Sequence, residues 1–281
     1  MSVASILQKS IRTILDEGPG VAVAKAARRV RFIVDVAIAT WRLRSEAKRP
    51  RDLDKSLDFA FGFSVGAVTI APAQVRSEIR ALLQLLEAKT PRNILEIGTA
   101  RGGTLFLLSR VGAVDASLAS VDLPGGEFGG GYGRIWVPLL RAMPSERQTL
   151  RLIRGDSHDL RTYEETRRWL GGEPLDCLLI DGDHRFEGVR RDFLMYAPLV
   201  RPGGVIAIHD IVPGRQDKVG GVPRFWDLVK KVYETRELVD DWGQGGFGIG
   251  VVQVPVQRVN IAALFVDPST ADDTGDSEAL A

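Results

Sequence analysis

From Asn93 onward the chain alternates between two rhythms. Short apolar runs recur ("NILEIG", "SLASVDL", "LRLIRGD", "LDCLLIDGD" and "GVIAIHD"), and the stretches between them space their apolar residues three and four apart. Runs of this kind suit strands buried on both faces, and strands alternating with helices imply a mostly parallel sheet covered on both sides. The periodicity predicts helices over 104–111, 161–170 and 186–200, and another at "RFWDLVKKVYE". "RPGG", Arg201 to Gly204, reads as a turn that stops the third of these before the fifth strand. "GIGVVQV" adds a strand near the end, and "RELVDD" is a weaker candidate just before it. Upstream, "AQVRSEIRALLQLLEAK" has the spacing of an amphipathic helix leading into the first strand. The stretch "PGGEFGGGYG", with six glycines, suits neither helix nor strand; its place after the second strand predicts a loop closing over a ligand.

Length and composition add limits. The chain has 281 residues, enough for one large domain with an appendage, and its 44% apolar content supports a sizeable core. A net charge of +1 gives no ground for a nucleic-acid partner. The lone cysteine, Cys177, lies inside an apolar run, which excludes a disulfide framework and reads as a small buried hydrophobe in a reducing compartment. The best apolar run near the N-terminus, 32–40, is short for a membrane span and carries Asp35; a soluble, cytoplasmic protein is expected.

Charge is uneven along the chain. Residues 1–52 hold eleven Lys/Arg against five Asp/Glu, and the tail from Asp267 holds five acids and no base. The acidic tail predicts disorder. The basic stretch "VAVAKAARRVRFIVDVAIATWRLR" has helical spacing and predicts a helix packed on the main domain with a solvated basic face. The alternatives are contact with an anionic membrane surface or a subunit contact in a homo-oligomer. The expected division is an N-terminal helical extension over 1–72, a main domain over 73–262 and a disordered tail over 263–281.

The chemistry gathers where the strands end. Glu96 and "GTARGGT" follow the first strand, Asp122 closes the second, and Asp156, Ser157 and His158 follow the third. Asp181, Asp183 and His184 follow the fourth, and His209 and Asp210 the fifth. A parallel sheet puts all these ends, and all three histidines of the chain, on one edge, which marks that edge as the site. The turn "EIGTARGGT" lacks the second glycine of the dinucleotide fingerprint, Ala100 standing there, and lacks the Gly-Lys-Ser/Thr of a phosphate loop. An acid two residues before Gly98 suits a ligand with a positive end, and Asp122 suits a ribose diol. A cationic head joined to a nucleoside describes S-adenosyl-L-methionine.

In these features the chain resembles the class I S-adenosylmethionine-dependent methyltransferases. "LEIGTARGGT" is similar to their first motif in the E-x-G-x-x-x-G form found in catechol O-methyltransferase-like enzymes. "IDGDH", "RPGG" and "HD" in that order resemble a subgroup that includes macrolide-sugar O-methyltransferases and cephalosporin hydroxylase-like proteins. The resemblance covers about 93–254. It implies a Rossmann-like methyltransferase fold with a seven-stranded sheet. It further implies that Gly98, Thr99, Ala100, Arg101 and Gly102, with Thr104 at the helix start, wrap the methionine part of the cofactor. Glu96 would hold the turn or the amino group, Asp122 the ribose, and Asp156, Ser157 and His158 the adenine; Asp181 would reach both cofactor and metal. Asp181, His209 and Asp210 match the metal-ligand positions, with Mg²⁺ expected and His209 departing from the usual acid or amide. His184 matches the general base, with Asp183 as the runner-up or as a cap for the next helix. The implied reaction is methyl transfer to a hydroxyl of a small-molecule or glycan acceptor. A metal-dependent hydrolase and a non-catalytic binding module are the competing readings. Tyr132, Trp136, Phe225 and Trp226 are expected as acceptor-pocket aromatics or as core anchors.

Overall fold

A computed structural model describes residues 18–124, 131–257 and Leu264. The acidic tail from Asp267 and the greater part of the "PGGEFGGGYG" loop lie outside the described residues.

Helix α1 (Pro19–Ala47) begins with proline in its first turn, where the missing N–H costs nothing. Helix α2 (Leu53–Gly62) starts at Asp52, whose side chain accepts from the Lys55 amide. A two-residue ladder, β1 (Ser64–Val65) with β2 (Val68–Thr69), leads to α3 (Arg76–Glu87). Then come β3 (Asn93–Ile97), α4 (Gly103–Val111), β4 (Ser117–Asp122), α5 (Val137–Leu140), β5 (Thr149–Arg154) and α6 (Leu160–Leu170). The chain continues through β6 (Leu175–Ile180), α7 (Phe186–Tyr196), β7 (Val200–His209), α8 (Gln216–Val219), α9 (Val222–Val232), β8 (Thr235–Leu238) and β9 (Ile249–Gln253).

Seven strands form one sheet in the order β5-β4-β3-β6-β7-β9-β8. The first five are parallel, and β9 runs antiparallel to both β7 and β8. The Rossmann-like α/β expectation therefore holds. From β3 the chain steps outward to β4 and β5, then returns to place β6 on the other side of β3. The β3–β6 gap is thus the topological switch point, where open α/β sheets bind ligands beyond the carboxyl ends of their strands.

Two apolar layers cover the sheet. On one face Leu105, Phe106 and Leu108 of α4 cluster with Leu82 and Leu83 of α3 and with Leu43, Leu57 and Ile70 of the N-terminal extension. On the other, Phe193, Phe225 and Trp226 of α7 and α9 pack on Leu95, Leu178 and Ile206. The extension therefore shares a core with the sheet. Cys177 is buried in β6, and burial pushes its thiol up to about 12, as expected of an inert hydrophobe.

Two local readings change. The helix expected over 186–200 ends at Tyr196 and tightens into a 3-10 turn over Ala197–Leu199, where Pro198 supplies no amide. "RPGG" lies inside β7 and is no free turn: Gly203 donates to the Val254 carbonyl (2.7 Å), and the Val254 amide donates to Gly204 (2.9 Å). The packing of α1 also differs from expectation. Val36, Ala39, Leu43 and Ala47 are buried, while Val23, Val30, Ile33, Val34, Ile38 and Trp41 are exposed.

Candidate functional site

The turn after β3 is held from below and from the side. The Thr99 and Ala100 amides both donate to Asp122 Oδ2, at 2.9 and 2.8 Å. Thr99 Oγ1 meets Ser120 Oγ at 2.5 Å, and Thr104 Oγ1 donates to Gln74 Oε1 at 2.8 Å. Thr99 and Thr104 are thus committed inside the protein, while Ala100 and Arg101 form the exposed tip of the turn. Gly98 and Gly102 take positive φ (86° and 83°), as does Ala100 (45°), a strained place for a side chain.

The glycines serve the protein's own packing. A Cβ on Gly98 would lie 1.9 Å from the Asp181 carbonyl oxygen, and one on Gly103 would lie 2.0 Å from that of Ile70. Gly98 therefore welds the turn to the end of β6. Glu96, under this turn, is 0% exposed and has no hydrogen-bond partner among the described residues. Burial pushes its carboxyl well above the usual range, and Asp181 and Asp122 add to that. Asp122 is also buried and pushed up by burial, against the pull of the turn amides.

One strand over, acids and imidazoles crowd together. Asp181 Oδ1 lies 3.0 Å from His209 Nδ1 and 3.6 Å from His184 Nε2. Its Oδ2 accepts from Gln74 Nε2 at 2.7 Å. Burial raises the Asp181 carboxyl, yet the charges of His209 and His184 outweigh it and hold it well below the usual range. Asp210 Oδ2 stands 3.3 Å from His184 Nδ1, and Asp210 Oδ1 accepts from the Phe247 amide at 3.0 Å. Burial opposes protonation of both histidines, but the two carboxylates prevail and raise each to about 9. Asp210 itself is pushed up by burial. The cluster opens into a cavity of about 220 Å³ lined by Asp181, His184, His209, Asp210, Lys218 and Phe247.

His184 is fixed as a metal-binding histidine would be. Its Nδ1 meets the Lys218 carbonyl at 2.5 Å, and its own carbonyl accepts from the Gly221 amide at 2.7 Å. Nδ1 is taken by a carbonyl, so Nε2 is the ring atom that faces Asp181. One ligand atom each from Asp181, His184 and Asp210 lies within 4.8 Å of the others, and this donor set suits a hard divalent cation. His209 falls outside that trio. It is 4% exposed, its Nδ1 is bound to Asp181, and its Nε2 has no partner among the described residues. His209 was expected among the metal ligands; in this geometry its Nδ1 is bound to Asp181, and His184 is the imidazole that stands within the trio.

Asp183 is tied to Arg185, the residue just before α7, and caps none of the helix's own amides. Its Oδ1 accepts from the Arg185 amide (2.9 Å) and its Oδ2 from Arg185 Nη2 (2.6 Å), so Arg185 holds its carboxyl below the usual range against burial. It does not line the cavity.

The third-strand segment forms a second group. His158 Nε2 lies 3.1 Å from the Gly188 carbonyl and 3.2 Å from the carboxylate of the fully buried Asp192. Asp192 raises His158, and burial raises Asp192. Ser157 accepts through its carbonyl from Tyr196 (2.9 Å), and Asp156 is exposed. The three histidines share one sheet edge but split into two clusters. The aromatics resolve as anchors: Phe225 and Trp226 are core, Tyr132 is buried under Arg154, and Trp136 meets Phe32 of α1 edge-on at 5.8 Å.

Several site residues lie outside any motif. Gln74, in the segment before α3, bridges Asp181 to Thr104. Glu78 of α3, buried, accepts from the Asp240 amide, Gln244 Nε2 and the Gly248 amide, and so fixes the loop that carries Phe247. Asp210 and Phe247 both have positive φ (66° and 64°), a rare conformation for such side chains. The one sequence signal for Gln74 is its polarity next to an amphipathic helix.

Residues 95–211 match a family of methyltransferase domains. Mycinamicin VI 2''-O-methyltransferase of Micromonospora griseorubida is 30% identical over 96 residues, which are 30% of this chain and 24% of that protein. The match thus spans about a quarter of that relative's length. Among solved structures, the O-methyltransferase TomG of Streptomyces achromogenes, in complex with SAM, aligns at 20% identity with a TM-score of 0.50, over 74% of this chain and 92% of that one. Cofactor-bound Rv0187 from MTB aligns at 18% identity with a TM-score of 0.50, over 73% and 97%. The chain has the class I methyltransferase fold.

Proposed function

From a methyltransferase domain of the class I fold, we propose that this chain transfers the methyl group of S-adenosylmethionine to a hydroxyl oxygen, on a sugar of a natural product or glycan. One observation carries the reading. The glycine turn and the acid–imidazole cluster share a wall, since Gly98 lies against the Asp181 carbonyl so closely that no side chain fits between them. A cradle for a methyl donor and a site for deprotonating an acceptor thus adjoin at the switch point. A hydrolase would use the cluster and leave the turn idle. The sugar rests on the likeness to a relative named for O-methylation of mycinamicin VI.

The residues divide the tasks. Asp122 fixes the turn through the Thr99 and Ala100 amides, Glu96 lies buried beneath it, and Ala100 and Arg101 present its tip. Asp156, Ser157 and His158 close the adenine side. Asp181, His184 and Asp210 would hold Mg²⁺ or a similar divalent cation. Such a cation would supply Lewis acidity toward an acceptor hydroxyl, a group otherwise about as weakly acidic as water. His184 acts through Nε2, its Nδ1 being held by Lys218. Gln74 and His209 orient Asp181 from opposite sides.

Labelled methyl transfer from S-adenosylmethionine to a panel of glycosides and phenols tests the proposal. Label is expected on a glycoside hydroxyl, with loss in chelator and recovery in Mg²⁺ or Mn²⁺. Label on phenols alone would overturn the sugar assignment, and undiminished transfer in chelator would overturn the metal assignment.

A further inference from the structure

Helix α1 has two apolar faces, and the body of the protein answers one of them. Val36, Ala39, Leu43 and Ala47 form the packed face. Its clamp is reinforced by Arg42, which donates to the Ser64 carbonyl (2.9 Å) and stacks over Phe63 (4.9 Å). A second stripe follows the same period. Val23, Val30, Val34 and Trp41 are 68%, 61%, 49% and 68% exposed, and the exposed Ala26, Ala27 and Ala37 complete it. The stripe positions 34, 37 and 41 trail the packed positions 36, 39 and 43 by two residues, roughly 200° around a helix. The stripe therefore lies on the side of α1 opposite the body, and the fold that buries one face turns the other outward.

Charge selects the occupant. Between Pro19 and Val34 the helix carries Lys25, Arg28, Arg29 and Arg31 and no acid. Arg29 and Arg31 flank the stripe, where long basic side chains can lay their stems on apolar surface and extend their charges outward. A second copy of the helix would set four bases against four, since the one acid within the stripe's span, Asp35, is turned to Gly66 of the body. A surface both apolar and anionic matches the stripe and its flanks together. No helix among the described residues is long and apolar enough to cross a membrane. We propose that α1 lies flat on an anionic lipid bilayer, with the Val23–Trp41 stripe in the acyl boundary, the flanking Arg29 and Arg31 at the headgroups and the sheet domain above it.

The test is co-sedimentation of the full chain with phosphatidylcholine vesicles with and without phosphatidylglycerol. Binding is expected with phosphatidylglycerol and not without it, and it should weaken in high salt. Val30→Glu with Val34→Glu should abolish binding, because it puts charge in the stripe. Arg29→Gln with Arg31→Gln should weaken it by about fivefold per charge removed. All four side chains are exposed, so an unchanged thermal unfolding midpoint confirms an intact fold. Absence of phosphatidylglycerol-dependent binding, or undiminished binding by the Val30→Glu/Val34→Glu variant, overturns the proposal. So does light scattering that shows a dimer dissociated by that variant alongside no vesicle binding, which would assign the stripe to a second copy.

Discussion

Strand β6 carries an aspartate near each end, and the two live in opposite surroundings. Asp176, near its start, accepts from the Arg92 amide (2.7 Å), the Asn93 amide (2.9 Å) and the Arg201 guanidinium. Burial raises its carboxyl, and those donors more than reverse that, leaving it below the usual range. Asp181, just past the strand's other end, is held by two histidines and a glutamine and faces a second carboxylate, Asp210. The donors at Asp176 are fixed: two belong to the backbone and the third never loses its charge. At Asp181 the partners are side chains, and two of them titrate. An acid satisfied by fixed donors ties structure together. An acid surrounded by other titratable groups is arranged to exchange a proton or hold a cation.

That contrast breaks most easily by isosteric substitution. Asp181→Asn is expected to lower methyl-transfer turnover by about two to three orders of magnitude. Asp176→Asn should change it by less than a few-fold in the same assay. An equal loss in both variants would erase the distinction. The next largest effect lies at Gln74, which bridges Asp181 and Thr104. Gln74→Leu should weaken cation-dependent activity by about 10- to 100-fold with the melting temperature little changed, as expected of an outer-shell partner.

Stability should respond in the reverse order. Asp176→Asn removes hydrogen bonds to a charged acceptor and is expected to lower the unfolding free energy by about 1.5–3 kcal/mol in urea titrations. The pH dependence sharpens this. Asp176 has a folded pKa depressed below its unfolded value of about 3.9. Its contribution is therefore full above that value and is lost as pH falls through the folded pKa. The difference between wild type and Asp176→Asn should be flat near neutrality and shrink as pH drops below about 4. A difference that grows on acidification would contradict the assignment.

Much of the frame was legible in the chain. The five apolar runs are the five parallel strands; the inner ones are apolar because both their faces are covered, while β5, at the edge, alternates with exposed positions. The crowding of acids and histidines at one sheet edge was also legible, since strand direction alone puts Asp181, His184 and Asp210 together. What stayed hidden depends on contacts between distant segments. Gln74 reaches Asp181 across 107 positions, and Glu78 holds the Gly248 loop across 170. No local pattern encodes either reach. The glycines have a second reason that no motif shows: Gly98 and Gly103 leave room for the protein's own backbone. His209 and His184 could not be ranked as ligands from sequence, because that depends on which ring nitrogen is already spent. For α1 the periodicity gave a helix, but two apolar stripes on one helix read as one until the packed face was known.

The central claim is that the turn at Gly98 to Gly102, beside the Asp181 cluster, binds S-adenosylmethionine. Calorimetric titration of S-adenosylhomocysteine into the full chain tests it most directly. The account predicts binding at a single site, lost in Gly98→Ala, whose Cβ would collide with the Asp181 carbonyl, and nearly unchanged in His184→Ala. Absence of binding to the unmutated protein by S-adenosylhomocysteine and S-adenosylmethionine alike would contradict it.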